Sequence, residues 1–285
     1  MLDPQARALA QSVQWQELDC PVKDHYPVVH QGLGPAVLML HGFDSSHLEF
    51  RRLVPLICDH LSVIIPDLYG FGFCPRHTEQ EHGPETVLRH LDQLIAQLPD
   101  HQPLGVIGAS MGGSVAVELA RRHPERINQV LLLAPAGLTG RPMPVPTVLD
   151  QLGAWFLGRP GVRKGLCRQA FADPESCVGE PELEIASVHT KVDGWSTSLA
   201  KFARSGGFAG TAEPRPKQPI HTIWGAQDRI LRQPLRQAAQ VVLQDEGEIL
   251  NMCGHLPHID RPQQVAERCI ELFANSINSK QIELN

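Results

Sequence analysis

Leu104-Gly105-Val106-Ile107-Gly108-Ala109-Ser110-Met111-Gly112-Gly113 joins a short apolar run directly to a string of small residues. The apolar part reads as a buried strand, and Gly112 to His123 as a small-residue helix stopped by Pro124. A chain that reverses from strand to helix within a few residues holds the middle one at strained dihedrals. The positions two before and two after must then be small. Gly108 and Gly112 meet that demand, which leaves Ser110 at the tip with its hydroxyl lifted above the carboxyl edge of a sheet. The plainer alternative is a glycine-rich tight turn whose serine only caps the following helix.

The same alternation extends in both directions. Ala36–Leu40, Ser62–Pro66 and Ile127–Leu133 are further apolar strands, followed late in the chain by Pro219–Trp224 and Glu248–Asn251. Between them lie helical patterns. Ser45 or Ser46 is expected to cap a helix running through Glu49 to Cys58, and Pro84 to open one with Val87, Leu88, Leu91, Leu94, Ile95 and Leu98 on its apolar face. Two more are expected at Pro234–Leu243 and Pro262–Ala274. Strands alternating with crossover helices predict an α/β domain, its mostly parallel central sheet covered by helices on both faces. Before Gly34 the pattern predicts an antiparallel hairpin at the sheet edge, and Ser276 to Asn285 is expected to fray. From Gly137 to Glu213 the rhythm breaks into a Gly-, Pro- and Arg-rich stretch too long for a connection. The expected organisation is a core of residues 1–136 and 214–285, with a cap inserted at 137–213.

Composition narrows the function. The chain has 285 residues, 42% apolar and 20% charged, enough for one sizeable core. A net charge of −6 removes the electrostatic case for a nucleic-acid partner. No apolar run approaches the roughly 20 residues of a bilayer-spanning helix. Met1 to Gln16 lacks the apolar core of a secretory signal. Seven cysteines, an odd number without a C-x-x-C pair, read as thiols in a reducing compartment. The expectation is a cytoplasmic protein, with room for peripheral membrane contact through an exposed apolar face of the cap.

A serine hydroxyl needs a base in hydrogen-bond reach, and the base needs a third group to orient it. In a parallel sheet such groups collect at the carboxyl ends of strands. Asp228 follows the strand ending at Trp224, and His255 follows the last strand. Asp245 and Glu246 precede that strand and belong at the opposite edge, while Asp193 and Glu213 lie in the insertion. His258 is the rival base, nearer the start of the last helix. His77 and His82, with Glu79 and Glu81 between them, fit no familiar zinc spacing and read as a polar loop. Backbone N–H groups of Met111 and Phe43 are the expected oxyanion donors, Gly42 letting the chain turn close to Ser110. In the insertion, Trp155, Phe156, Trp195, Phe202 and Phe208 are candidate pocket residues, with a small core of the cap's own as the alternative. Arg141, Arg159, Arg163 and Lys164 read as a solvated face, or else as a receptor for an acidic group.

Taken together, His41-Gly42, Asp67 through Gly70, Gly72, Gly108 through Gly113, Gly225 with Asp228, and Gly254-His255 resemble the α/β-hydrolase family over residues 34 to 275. The resemblance implies that fold with a lid, and puts Ser110, Asp228 and His255 at the triad positions and Phe43 and Met111 at the oxyanion hole. His41 to Glu49 and Gly70 to Phe73 are similar to chlorophyll dephytylases, which cleave the phytol ester of chlorophyll. The Ser110–Gly113 turn and Ala134 to Leu138 are similar to the hydrolases that split carbon–carbon bonds of meta-cleavage products. The resulting expectation is a serine carboxylic-ester hydrolase without metal or organic cofactor, acting on a small-molecule hydrophobic ester. The carbon–carbon hydrolase and a non-catalytic binding protein on the same scaffold stay open.

Overall fold

A computed structural model describes residues 1–99 and 103–274 of the chain. Strands β1 (Val13–Asp19) and β2 (Lys23–Gln31) form the expected antiparallel hairpin. β3 (Ala36–Leu40), β4 (Ser62–Pro66), β5 (Leu104–Ala109), β6 (Ile127–Leu133), β7 (Ile220–Gly225) and β8 (Glu248–Leu250) follow, in the spatial order β1-β2-β4-β3-β5-β6-β7-β8. The hairpin joins the sheet antiparallel to β4, and every pair from β4 to β8 is parallel.

Alternation along the central strands divides the core. Leu38, Leu40 and Val106 face one apolar cluster, while Val37, Met39 and Ile107 face the other across the sheet. Each of these side chains is fully buried, worth roughly 1.5–3 kcal/mol apiece. Helices α3 (Pro84–Gln97) and α4 (Met111–Arg122) cover the first face, and α12 (Pro262–Ala274) the second.

Two local expectations are corrected. A short helix, α1 (Pro4–Gln11), precedes the hairpin, with Asp3 accepting from the N–H groups of Gln5 (2.8 Å) and Ala6 (3.0 Å) and Pro4 opening the first turn. The helix expected from Glu49 to Cys58 is instead a 3₁₀ turn, His47–Phe50, and a separate α2 (Val54–Ile57), and Ser46 makes no side-chain cap. Pro55 explains the break, since it has no N–H to donate and its ring opposes a carbonyl one turn earlier. The expectation for Ser276 to Asn285 falls outside the described residues.

Between β6 and β7 the chain builds α5 (Thr147–Leu157), α6 (Pro160–Ala170), α7 (Pro174–Cys177), α8 (Glu180–Val188) and α9 (Trp195–Ser205). α5 is tied to α9 by Arg204 Nε donating to Asp150 Oδ2 (2.7 Å). After β7 come α10 (Gln233–Leu243) and, beyond β8, α11 (Pro257–Asp260).

Candidate active site

Ser110 sits between β5 and α4 at φ 50°, ψ −119°, a conformation that costs a non-glycine residue about 1–3 kcal/mol. The surroundings hold it there. Its N–H donates to the Leu133 carbonyl, and its carbonyl accepts from Gly113 and Ala136, each at 2.9 Å. A Cβ on Gly108 would lie 2.3 Å from the Gly112 carbonyl oxygen, and one on Gly112 would lie 2.1 Å from that of Leu40. The hydroxyl does not cap α4. It lies 2.8 Å from His255 Nε2.

His255 is carried by the loop after β8, and its Nδ1 is 2.8 Å from Asp228 Oδ2 in the loop after β7. A carboxylate only accepts, so the proton sits on Nδ1 and Nε2 is free to accept from the Ser110 hydroxyl. The other Asp228 oxygen, Oδ1, accepts from the N–H groups of Ile230 (2.8 Å) and Leu231 (2.9 Å), which fixes the carboxylate plane. Both side chains are nearly sealed from solvent. The two loops touch through backbone: a Cβ on Gly225 would fall 1.9 Å from the Gly254 carbonyl oxygen. The His255 N–H donates to the Ala170 carbonyl at the end of α6 (2.7 Å), and Asp260 Oδ2 accepts from both Gly254 N–H (2.7 Å) and Ala172 N–H (3.0 Å).

The rival residues are elsewhere. His258 is buried with Nε2 3.2 Å from Glu49 Oε1. Asp245 accepts from the Thr222 hydroxyl. His77 lies beside Asp24, and His82 Nε2 donates to the His77 carbonyl (3.1 Å), its ring stacked on Tyr69.

The loop after β3 is braced so that its peptide groups face one way. Leu68 N–H donates to His41 Nε2 (3.0 Å), so the ring proton is on Nδ1, which donates to the Gly42 carbonyl (2.8 Å). Burial depresses the His41 pKa and keeps the ring neutral, as this bonding needs. In a trans peptide the N–H points opposite the C=O, so the Phe43 N–H is turned away from that ring. Met111 opens α4, where N–H groups lack partners within the helix. Gly42 comes so near that a Cβ would lie 3.3 Å from Ser110 Cβ, and its N–H donates to Glu49 Oε2 (3.1 Å). Burial opposes charge on Glu49, but the adjacent His258 outweighs it and holds the carboxyl at about 2. On the neighbouring loop, Asp67 accepts from His47 N–H (2.6 Å), His47 Nδ1 (2.9 Å) and Phe73 N–H (2.6 Å). Burial opposes its charge too, and the His47 contact holds it at about 2.

Ser110 and His255 open on a cavity of about 380 Å³. Its wall is mainly apolar, with Leu157 from α5, Leu166 and Ala170 from α6, Ile185 from α8, and Ile230 and Ile259 from the core. None of the five expected aromatics lines it. Trp155 and Phe156 are exposed on the outer side of α5, and Phe202 is buried against Phe43, Phe71 and Phe208. Trp195 is buried, its indole N–H donating to Asp44 Oδ1 (2.8 Å). Aromatic type alone does not tell which side of a helix packs inward. Arg163 is likewise no part of a solvated face: it is buried in the cavity wall and paired with Asp44.

Asp44 is the group that sequence reading missed. Next to Phe43 and at φ 49°, it accepts from Trp195, from His189 Nε2 (3.0 Å) and from Arg163, joining the loop after β3 to three segments of the insertion. Burial opposes its charge, but His189 and Arg163 together keep it ionised. A second buried set, Arg51 with Asp3 Oδ2 (2.9 Å) and Glu182, closes another part of the wall. Only the position of Asp44 directly after a candidate oxyanion donor could have drawn attention to it.

Known proteins resemble this chain in sequence and fold. The 2-hydroxymuconate semialdehyde hydrolase of a Pseudomonas species is 24% identical over 259 residues, which cover 86% of this chain and 89% of that one. The alpha/beta hydrolase domain-containing protein VTE7 of Arabidopsis thaliana is 25% identical over 291 residues, covering 93% and 84%. Among solved structures, an esterase from Exiguobacterium antarcticum superposes with a TM-score of 0.75 at 18% identity, over 90% of this chain and 98% of the other. The sequence profile of the Alpha/beta hydrolase family matches residues 37–268. With its eight-stranded, mostly parallel sheet and strand-end loops, the chain belongs to the alpha/beta hydrolase family.

Proposed function

We propose that this hydrolase cleaves a hydrophobic carboxylic ester through a serine-bound acyl intermediate, with residues 137–213 acting as a cap over the site. The observation that carries the reading is the relay of two 2.8 Å contacts from Asp228 through His255 to Ser110, with Ser110 held at φ 50°. His255 Nε2 takes the hydroxyl proton as Ser110 Oγ bonds to the ester carbonyl carbon, and Asp228 stabilises the imidazolium that results. The N–H groups of Phe43 and Met111 hold the oxyanion. Collapse breaks the bond to the alkoxy oxygen, which receives the proton from His255 and leaves as the alcohol. Water, deprotonated by His255, then attacks the acyl-enzyme, and the proton returns to Ser110 as the acid departs.

The cavity supports the substrate class. At about 380 Å³ it stands near the lower end for small-ligand sites, room for one acyl or alcohol chain and not for a macrocycle. The phytol ester of chlorophyll remains the sharpest candidate, its chain inside and its ring beyond the mouth. A carbon–carbon hydrolase would use the same three groups on an acidic dienoate. The cationic wall residues favour the ester instead, because Arg163 is paired with Asp44, and Arg51 with Asp3 and Glu182.

A fluorophosphonate should label the wild-type protein and leave Ser110→Ala unlabelled; labelling that persists in that variant refutes the nucleophile. A panel of p-nitrophenyl esters, chlorophyll a and a ring-fission dienoate then sorts the substrates. Turnover of the dienoate without any ester cleavage overturns the ester reading, and intact chlorophyll beside rapid short-chain turnover rules out the pigment. Absence of both labelling and turnover leaves the non-catalytic binding protein.

A further inference from the structure

The outer side of α5 carries Val148, Leu149, Leu152, Trp155 and Phe156, all more than half exposed. Their spacing puts them on one side of the helix, while Asp150 and Ala154 on the other are buried toward α9. A run of large apolar groups this continuous on an exposed face is uncommon in a monomer and marks a contact surface.

Charge identifies the kind of partner. From Arg141 to Ala170 there are five cationic side chains and one carboxylate, in a chain whose net charge is −6. That carboxylate, Asp150, is buried and bonded to Arg204. Arg163 is buried against Asp44 and Arg168 is paired with Glu175, so the exposed charge left to this stretch is that of Arg141, Arg159 and Lys164. Arg159 lies over the Trp155 ring at 4.8 Å, so cation and aromatic sit together at the end of the stripe. An exposed apolar face with Trp and Phe, flanked by cations, is what an interfacial helix presents to anionic lipid. A symmetric dimer through the same face would bring its cations against their own copies. The same two helices reach the cavity from their other sides: Leu157 of α5 and Leu166 of α6 line it, and Leu166 is also exposed.

We infer that α5 and the cations beside it form a docking surface for an anionic lipid bilayer, lying against the headgroups with the cavity mouth near the membrane. Binding there requires nothing of the chemistry at Ser110, so its readout is kept separate from turnover.

The test is co-sedimentation of the full chain with phosphatidylcholine vesicles, with and without phosphatidylglycerol. Binding should require the anionic lipid and weaken strongly between 0.1 and 1 M NaCl, where screening shortens from about 10 to 3 Å. Arg159→Gln with Lys164→Gln should weaken binding about thirtyfold, the loss of two cations at an anionic surface. Leu149→Gln with Leu152→Gln should weaken it at least about tenfold. Both double variants alter exposed side chains outside the cavity and should hydrolyse a short p-nitrophenyl ester at the wild-type rate. Trp155 emission should shift to the blue on vesicles. No pelleting, pelleting indifferent to either variant, or equal binding to neutral vesicles overturns the inference. So does a dimer in sedimentation velocity that Leu149→Gln with Leu152→Gln dissolves while vesicles bind nothing.

Discussion

Asp44→Ala tests the idea that one buried carboxylate couples the loop after β3 to the inserted helices. Asp44 and Arg163 are each about nine-tenths buried, and the variant leaves the guanidinium without its anion. Breaking a buried pair by removing one partner costs about 3–5 kcal/mol, a large share of the roughly 5–15 kcal/mol that stabilises an ordinary domain. The acceptor for Trp195 and His189 is lost as well, which pushes the figure to the upper end of that range. Asp44→Ala with Arg163→Met removes both charges, so it should recover at least about 2 kcal/mol over the single variant. Urea unfolding measures all three proteins, and kcat for a short ester, taken where each remains folded, reports on the neighbouring Phe43 N–H. A single variant within about 0.5 kcal/mol of wild type would refute the reasoning, as would a double variant no better than the sum of its parts.

Asp228→Asn should lower kcat by about 10³–10⁴-fold with little change in stability, because the amide no longer holds the His255 tautomer; a drop below tenfold would remove Asp228 from the relay. Gly254→Ala sets a Cβ 2.4 Å from the Ala170 carbonyl oxygen and 2.8 Å from Ala172 N, so ester turnover should fall at least about a hundredfold as His255 is displaced. Unaltered kinetics would mean that the segment after α6 yields freely. Glu49 and Asp67, held at about 2 against ordinary values of 4.5 and 3.8, contribute stability that is complete above pH 4.5 and lost as pH falls toward about 2. The urea midpoint should therefore drop steadily below pH 4.5, and a midpoint that stays flat down to pH 3 would contradict it.

The convergence of Ser110, Asp228 and His255 was legible in the sequence because a parallel sheet brings the ends of distant strands together. Position after a strand is a local property, and it also excluded Asp245 and favoured His255 over His258. What was not legible depends on which side of a helix packs. Trp155 and Phe156 look like pocket residues until α5 turns Asp150 inward to Arg204, and Arg163 looks solvated until Asp44 is found beside it. Pro55 and the Asp3-Pro4 pair were different: both carried a readable local signal, a helix break and a helix start.

The bond from His255 N–H to the Ala170 carbonyl, with Asp260 bridging Gly254 and Ala172, pins the end of α6 to the loop that carries His255. A cap of the proposed kind could not swing open there like a trapdoor without pulling on the imidazole beside Ser110. In the proposed mechanism substrate would enter and leave by the unpinned side, and a ligand that pried up the end of α6 would draw His255 away from Ser110 as it opened the door.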